Sequence, residues 1–215
     1  SIIDILNQHL QFPENNKDYP SAYSFDSQRQ DVLEIIEEQD LTQSKLNMGY
    51  RIDCDFTSNH HYAFTVFNAL FGGFSQSRLF KVVREENSLC YYVSSSYDAF
   101  NGIMIVNAGI EAKDYQKTMS LIKEQLEDIQ NGNLSDNDIQ IAKIMLQNAL
   151  RKTNDEAGSM IALAYNRDIT HKQETNDEYI QKLLNVSKED IINVAKKVQL
   201  DTIFFLTGKD FHGNN

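Results

Sequence analysis

From Leu46 to Phe56 the chain alternates without a break. Leu46, Met48, Tyr50, Ile52, Cys54 and Phe56 are apolar, and every residue between them is charged, amidic or glycine. A period of two sustained for eleven positions puts the apolar side chains on one side of an extended strand and the polar ones on the other. A helix would scatter the same residues around its circumference. The pattern therefore demands a sheet with one covered and one open face, which excludes an all-helical bundle and a parallel sheet buried on both sides.

Other segments supply the remaining layers. Val32 to Ile36 is a short strand candidate, and Thr202 to Thr207 reads as a closing strand. Cys90 to Tyr97 and Ile103 to Glu111 are rich in β-formers, and Asn101-Gly102 between them is a strong hairpin signal. Ser58 and Asn59 are placed to cap a helix through Phe64, Phe67 and Leu70 that stops at Gly72-Gly73. A second helix runs from Ser77 to Glu86. Tyr115, Met119, Ile122, Leu126 and Ile129 keep helical spacing until Gly132. Ser135 with Asp138, and Ser187 with Asp190, have the spacing of capping boxes, and helical segments near 155–171 and 176–184 lie between them. This order does not alternate as βαβ units do. It predicts an α+β fold: an antiparallel sheet with helices packed on one face.

The organisation is one domain with appendages. Ile2, Ile3, Leu6 and Leu10 mark an N-terminal helical arm that breaks at Pro13. Polar residues and both prolines (Pro13, Pro20) make 11–30 a surface linker, so 1–30 is arm and linker, 31–208 the folded domain and 209–215 a polar tail. The helical pattern is already running at Ser1 with no Met before it, which reads as a piece of a longer protein. With 31 acidic against 20 basic residues and a net charge of −11, the surface is anionic. A partner with a phosphate backbone is not expected, nor RNA across the sheet. No apolar run approaches the ~18 residues of a membrane span, and no signal peptide is visible. The expectation is a cytoplasmic protein that engages neither nucleic acid nor membrane. Cys54 and Cys90 fall in predicted strands without metal-ligand spacing and read as buried free thiols in a reducing cytosol.

Between the double glycine and the hairpin lies the run Gly72-Gly73-Phe-Ser-Gln-Ser-Arg78-Leu-Phe80-Lys-Val-Val-Arg84-Glu85-Glu-Asn-Ser-Leu89-Cys-Tyr91-Tyr92-Val93. On spacing alone, Arg84 would pair with Glu85, Glu86 or another carboxylate, and Tyr91 would be a sheet aromatic. Gly72-Gly73 is not followed by Gly-Lys-Ser/Thr, so it reads as a helix stop and not a phosphate cradle. Asp53 and Asp55 read as a surface pair on one face of a strand. His60 and His61 are ~100° apart on a helix, cannot hold one ion from one face, and read as exposed first-turn residues.

That run, with Leu70-Phe-Gly72-Gly73, Ser77-Arg78-Leu79-Phe80, Val83-Arg84-Glu85 and Ser88-Leu89-Cys90-Tyr91 in order, resembles the C-terminal domain of insulinase/pitrilysin-type zinc peptidases. The start Leu134-Ser135-x-x-x-Ile139-x-x-Ala142-Lys143 and the late Val186-Ser187-Lys188-Glu189-Asp190-Ile191-x-x-Val194-Ala195 follow in the same order. The resemblance covers 31–208 and is nearest to bacterial processing-peptidase-like subunits, which tend to work in pairs. It implies that the zinc motif, His-x-x-Glu-His, belongs to another domain. None of His9, His60, His61, His171 and His212 forms it here, so no zinc is expected on this chain. It further implies that Arg84 binds substrate and that Tyr91 binds substrate and its oxyanion, with Tyr92, on the opposite face, as control. The implied activity is that of the substrate-binding half of a zinc endopeptidase. Such a half is inactive alone, acts on unfolded peptides in a clamshell chamber, and is partnered by the parent's N-terminal half or a zinc-bearing homologous subunit. The alternative is a non-catalytic scaffold or binding subunit.

Overall fold

In a computed structural model of the chain, the alternation forms strand β2 (Ser44–Arg51). Ser44, Leu46, Met48 and Tyr50 are buried, while Lys45 is exposed and Asn47, Gly49 and Arg51 are half-buried. The structure describes residues 1–10, 31–52, 60–153 and 155–209. The expectations for the 11–30 linker, for Asp53, Cys54, Asp55, Phe56, Ser58 and Asn59, and for His212 in the tail lie outside them.

Before β2 come α1 (Ile2–His9) and β1 (Leu33–Glu38). After it come α2 (His60–Asn68), β3 (Cys90–Asp98), β4 (Ile103–Ile110), α3 (Tyr115–Gln130), α4 (Asp136–Thr153), α5 (Ala157–Thr170), α6 (Asn176–Leu184), α7 (Lys188–Ala195) and β5 (Gln199–Thr207). Two π-helical segments, Ala69–Gly73 and Phe80–Glu86, lie between α2 and β3.

The sheet order is β1-β5-β2-β4-β3. β2 pairs antiparallel with both β4 and β5, and β3 pairs antiparallel with β4. The one departure from an all-antiparallel sheet is β1, which lies parallel to β5 at the edge. A parallel pair needs a long crossover, and the whole of the chain between Glu38 and Gln199 supplies it. The β3–β4 hairpin forms as expected, through the four residues Ala99–Gly102. The Asp98 carboxylate accepts from the N–H groups of Phe100 (2.8 Å) and Asn101 (3.3 Å), and Gly102 takes the positive φ (62°) that closes the loop.

The helices cover one face. Met104, Val106, Ala108 and Ile110 of β4 are buried beside the apolar set of β2, whereas Ile103 and Ile105 point to the open face. Phe64, Phe67 and Phe71 are fully buried on the helical side, with Phe67 and Phe71 stacked at 5.5 Å. Gly72 sits so close to β3 that a Cβ there would lie 2.7 Å from the backbone nitrogen of Ser95. Beside it the Ser95 hydroxyl donates to Asn68 Oδ1 at 2.8 Å. The double glycine therefore does more than stop a helix, because Gly72 lets the π-segment touch the sheet. At the other end, Tyr115 stacks on Phe205 at 4.3 Å and donates to the Glu34 carboxylate, linking α3 to β5 and β1. Burial, then the Glu34 contact, pushes the Tyr115 hydroxyl well above the usual tyrosine range.

Candidate functional site

Arg84 lies in the π-helical segment Phe80–Glu86, and its guanidinium packs over the Phe80 ring at 4.7 Å from the centroid. Among the described residues it makes no ion pair, so the pairing with Glu85 or Glu86 that spacing suggested is not formed. The segment ends in a tight reversal. Ser88 adopts a left-handed conformation (φ 53°), and the N–H groups of Ser88 and Leu89 return to the carbonyls of Arg84 and Val83, both at 3.1 Å. That reversal starts β3 immediately beside the helix end that carries Arg84.

At the first residues of β3 the register slips: Cys90 faces Ile110 and Tyr92 faces Gly109, leaving Tyr91 as the extra residue of a β-bulge. Tyr91 is 81% exposed, and among the described residues no hydrogen bond engages its hydroxyl. Arg84 and Tyr91 line one open cavity of about 510 Å³ with Thr42, Gln43, Ser88 and Glu111 among its walls. The structure thus brings together the two residues that the sequence singles out. It does not make Tyr92 a clean control. The bulge interrupts strict alternation, and the Tyr92 ring covers Gly109, itself part of the cavity wall; a Cβ on Gly109 would meet the ring at 2.4 Å. Cys90 carries a free thiol that burial pushes up to about 11, against the opposing charge of Arg84. It is therefore a poor nucleophile at neutral pH.

A second polar cluster escaped the sequence reading. His60 is exposed as expected, but His61 is 3% exposed, which corrects the expectation for the pair. Its Nε2 meets the Tyr179 hydroxyl at 3.0 Å and its Nδ1 the Tyr97 hydroxyl at 3.5 Å. Thr65 Oγ1 lies 2.6 Å from the Tyr97 hydroxyl. α6 brings Tyr179 over the first turn of α2, and that contact spans 118 residues, so no local signal announces it. Next to it, Tyr62 donates to Glu174 at 2.8 Å and Lys182 reaches the same carboxylate at 2.8 Å. Burial pushes the Glu174 carboxyl up, but the bonds from Lys182 and Tyr62 outweigh it and hold the group below the usual range.

No three His, Cys, Asp or Glu side chains among the described residues are grouped to hold a metal ion. His61, buried, is bonded to tyrosines, which do not make a zinc site with it. No described helix is long and apolar enough to cross a membrane.

Residues 2–146 match the family model described as Peptidase M16 inactive domain. A relative from Bacillus subtilis named "Probable inactive metalloprotease YmfF" is 40% identical over 177 residues, covering 82% of this chain and 42% of its own. Another from the same organism, "Uncharacterized zinc protease YmxG", is 23% identical over 76% of this chain and 41% of its own length. Among solved structures, a conserved protein from Enterococcus faecalis V583 superposes with a TM-score of 0.81 at 36% identity, over 86% of this chain and 44% of that one. A protease from Helicobacter pylori shares the fold, with a TM-score of 0.79 at 17% identity over 96% of this chain and 51% of that one. The chain spans less than half the length of the two curated relatives. With the family model matched over more than half of its residues, the chain belongs to the peptidase M16 inactive-domain family.

Proposed function

We propose that this domain is the substrate-binding, C-terminal half of a zinc-dependent endopeptidase subunit. The observation that carries the reading is that Arg84 and Tyr91 line one open cavity at the sheet edge, with the Tyr91 hydroxyl and the Arg84 donors uncommitted to other described side chains. Arg84 presents a fork of donors suited to peptide carbonyls. Tyr91 presents a phenol suited to a carbonyl oxygen that gains negative charge during amide hydrolysis. No described residues are grouped to hold a zinc ion, and in this reading the metal and its activated water belong to the parent's N-terminal half or to a homologous partner subunit. The substrate is unfolded peptide held in a closed chamber between the halves.

The test is steady-state hydrolysis of a quenched-fluorescent peptide by the assembled protein. Tyr91→Phe should lower kcat by roughly ten- to a thousand-fold, in the range of a lost oxyanion donor, with the zinc content of the assembly unchanged. An unchanged kcat would overturn the role of Tyr91.

A second reading is a non-catalytic scaffold or binding subunit. It is favoured by the exposed apolar residues Ile2, Ile3, Ile5 and Leu6 of α1, a helix with no buried side chain. A scaffold assembles and functions normally when both Arg84 and Tyr91 are replaced.

A further inference from the structure

A cavity of about 400 Å³ opens beside the His61 cluster, between the tip of the β3–β4 hairpin and helices α4, α5 and α6. It lies at the far end of β3 from Tyr91: Tyr97 is six residues further along the strand, a span of about 20 Å at ~3.3 Å per residue. The volume falls within the ~300–1,000 Å³ of small-molecule sites. Nothing in the proposed peptide chemistry uses it.

Its walls divide by chemistry. Ala99, Leu150 and Leu163, with the rings of Tyr97 and Tyr179, make an apolar chamber. The polar groups are unequal in what they have left to offer. Among the carboxylates, Glu174 is held by Tyr62 and Lys182, and Asp98 by the N–H groups of its own hairpin turn. Arg167, from the last turn of α5, gives one N–H to the neutral amide oxygen of Asn176 at 2.9 Å and meets no carboxylate in an ion pair among the described residues. A guanidinium has five donors in a planar fork, so Arg167, which lines the chamber, keeps donors beyond the one given to Asn176, while its charge also acts on the nearby Glu178 carboxylate. The hydroxyls of Tyr97 and Tyr179, on the buried side, are already engaged with His61 and Thr65.

We propose that this cavity is a binding site for a small amphipathic monocarboxylate, its carboxylate on Arg167 and its aryl ring or short acyl chain among Ala99, Leu150 and Leu163. A bidentate guanidinium–carboxylate contact fixes the head, and the apolar walls supply the favourable burial. The site is independent of Arg84 and Tyr91.

The test is calorimetric titration and thermal shift on the full-length protein, with octanoate and phenylacetate as probes and octanamide and phenylacetamide as neutral counterparts. At least one carboxylate should bind with a Kd below about 1 mM and raise Tm, with its amide at least tenfold weaker. Arg167→Gln, which leaves the chamber in place, should weaken the carboxylate about tenfold and leave the amide unchanged. Leu163→Trp, from a half-buried position, should fill the chamber and remove binding of both. Failure of both carboxylates to bind below about 10 mM overturns the proposal. So does equal affinity for acid and amide, or an affinity that Arg167→Gln does not change.

Discussion

Gly72 and Lys143 show how single residues carry constraints that a pattern of apolar spacing does not express. A methyl group on Gly72 would collide with the backbone of Ser95, which cannot swing aside as a side-chain tip would. Gly72→Ala is therefore expected to destabilise the domain by about 1–3 kcal/mol, as overpacking does. A lowered urea midpoint with an unchanged m-value would show it. Gly109→Ala is the instructive contrast, since the half-exposed Tyr92 ring it would meet has room to move. Lys143 is 6% exposed and donates to the carbonyls of Leu184 (2.7 Å) and Val186 (2.6 Å), closing the turn after α6. Burial lowers its pKa, opposed by the charge of Asp190. Lys143→Met would leave those carbonyls without their donor and should cost about 1–3 kcal/mol, read by thermal or chemical unfolding. The sequence marked Lys143 only as part of a motif. Its burial depends on a turn some forty residues later, as the burial of His61 depends on Tyr179.

Elements were legible wherever their signals are local. The capping box of α7 is the clearest case: Ser187 accepts from the N–H of Asp190 at 3.1 Å, and Asp190 accepts from the N–H of Ser187 at 2.9 Å. At Ser135 and Asp138 the bond from the Asp138 N–H to the Ser135 hydroxyl, 3.1 Å, forms the first half of the pattern. The alternation of β2, the hairpin and α3 were equally readable, because each is written in neighbouring residues. Ser187→Ala should cost about 1 kcal/mol at neutral pH, measured by unfolding midpoint. The Ser187 hydroxyl, which also donates to the Asp190 carboxylate at 2.6 Å, and then the Ser187 N–H hold that carboxyl below its ordinary range. A depressed carboxyl contributes stability above its unfolded pKa and loses it as pH falls through the folded one. The gap between wild type and Ser187→Ala should therefore narrow as the medium is acidified below the ordinary Asp pKa. The bulge at Tyr91 and the π-helical turns around Arg84 were not legible. Each is an offset of one residue in a regular ladder, and side-chain periodicity does not report where the extra residue is placed.

On the scale of the whole molecule, the fold class followed from the sequence and the edge pairing did not. No turn joins β1 to β5, so nothing in the chain's local chemistry fixes their relative direction. The site depends on this architecture. Arg84 and Tyr91 stand at one end of β3, and the carboxylate cavity at the other, with one edge strand as the rigid spacer between them. The strand order also has a consequence in time. β2, β4 and β3 are complete by Asn107-Ala108-Gly109-Ile110, whereas β5, which separates β1 from β2, is made after the other four described strands. Until then β1 has no neighbour and β2 keeps an unpaired edge. β1 cannot dock on this sheet until β5 has been made, and a nascent chain halted before Gln199 leaves open the two strand edges that β5 covers, the kind that invite wrong partners.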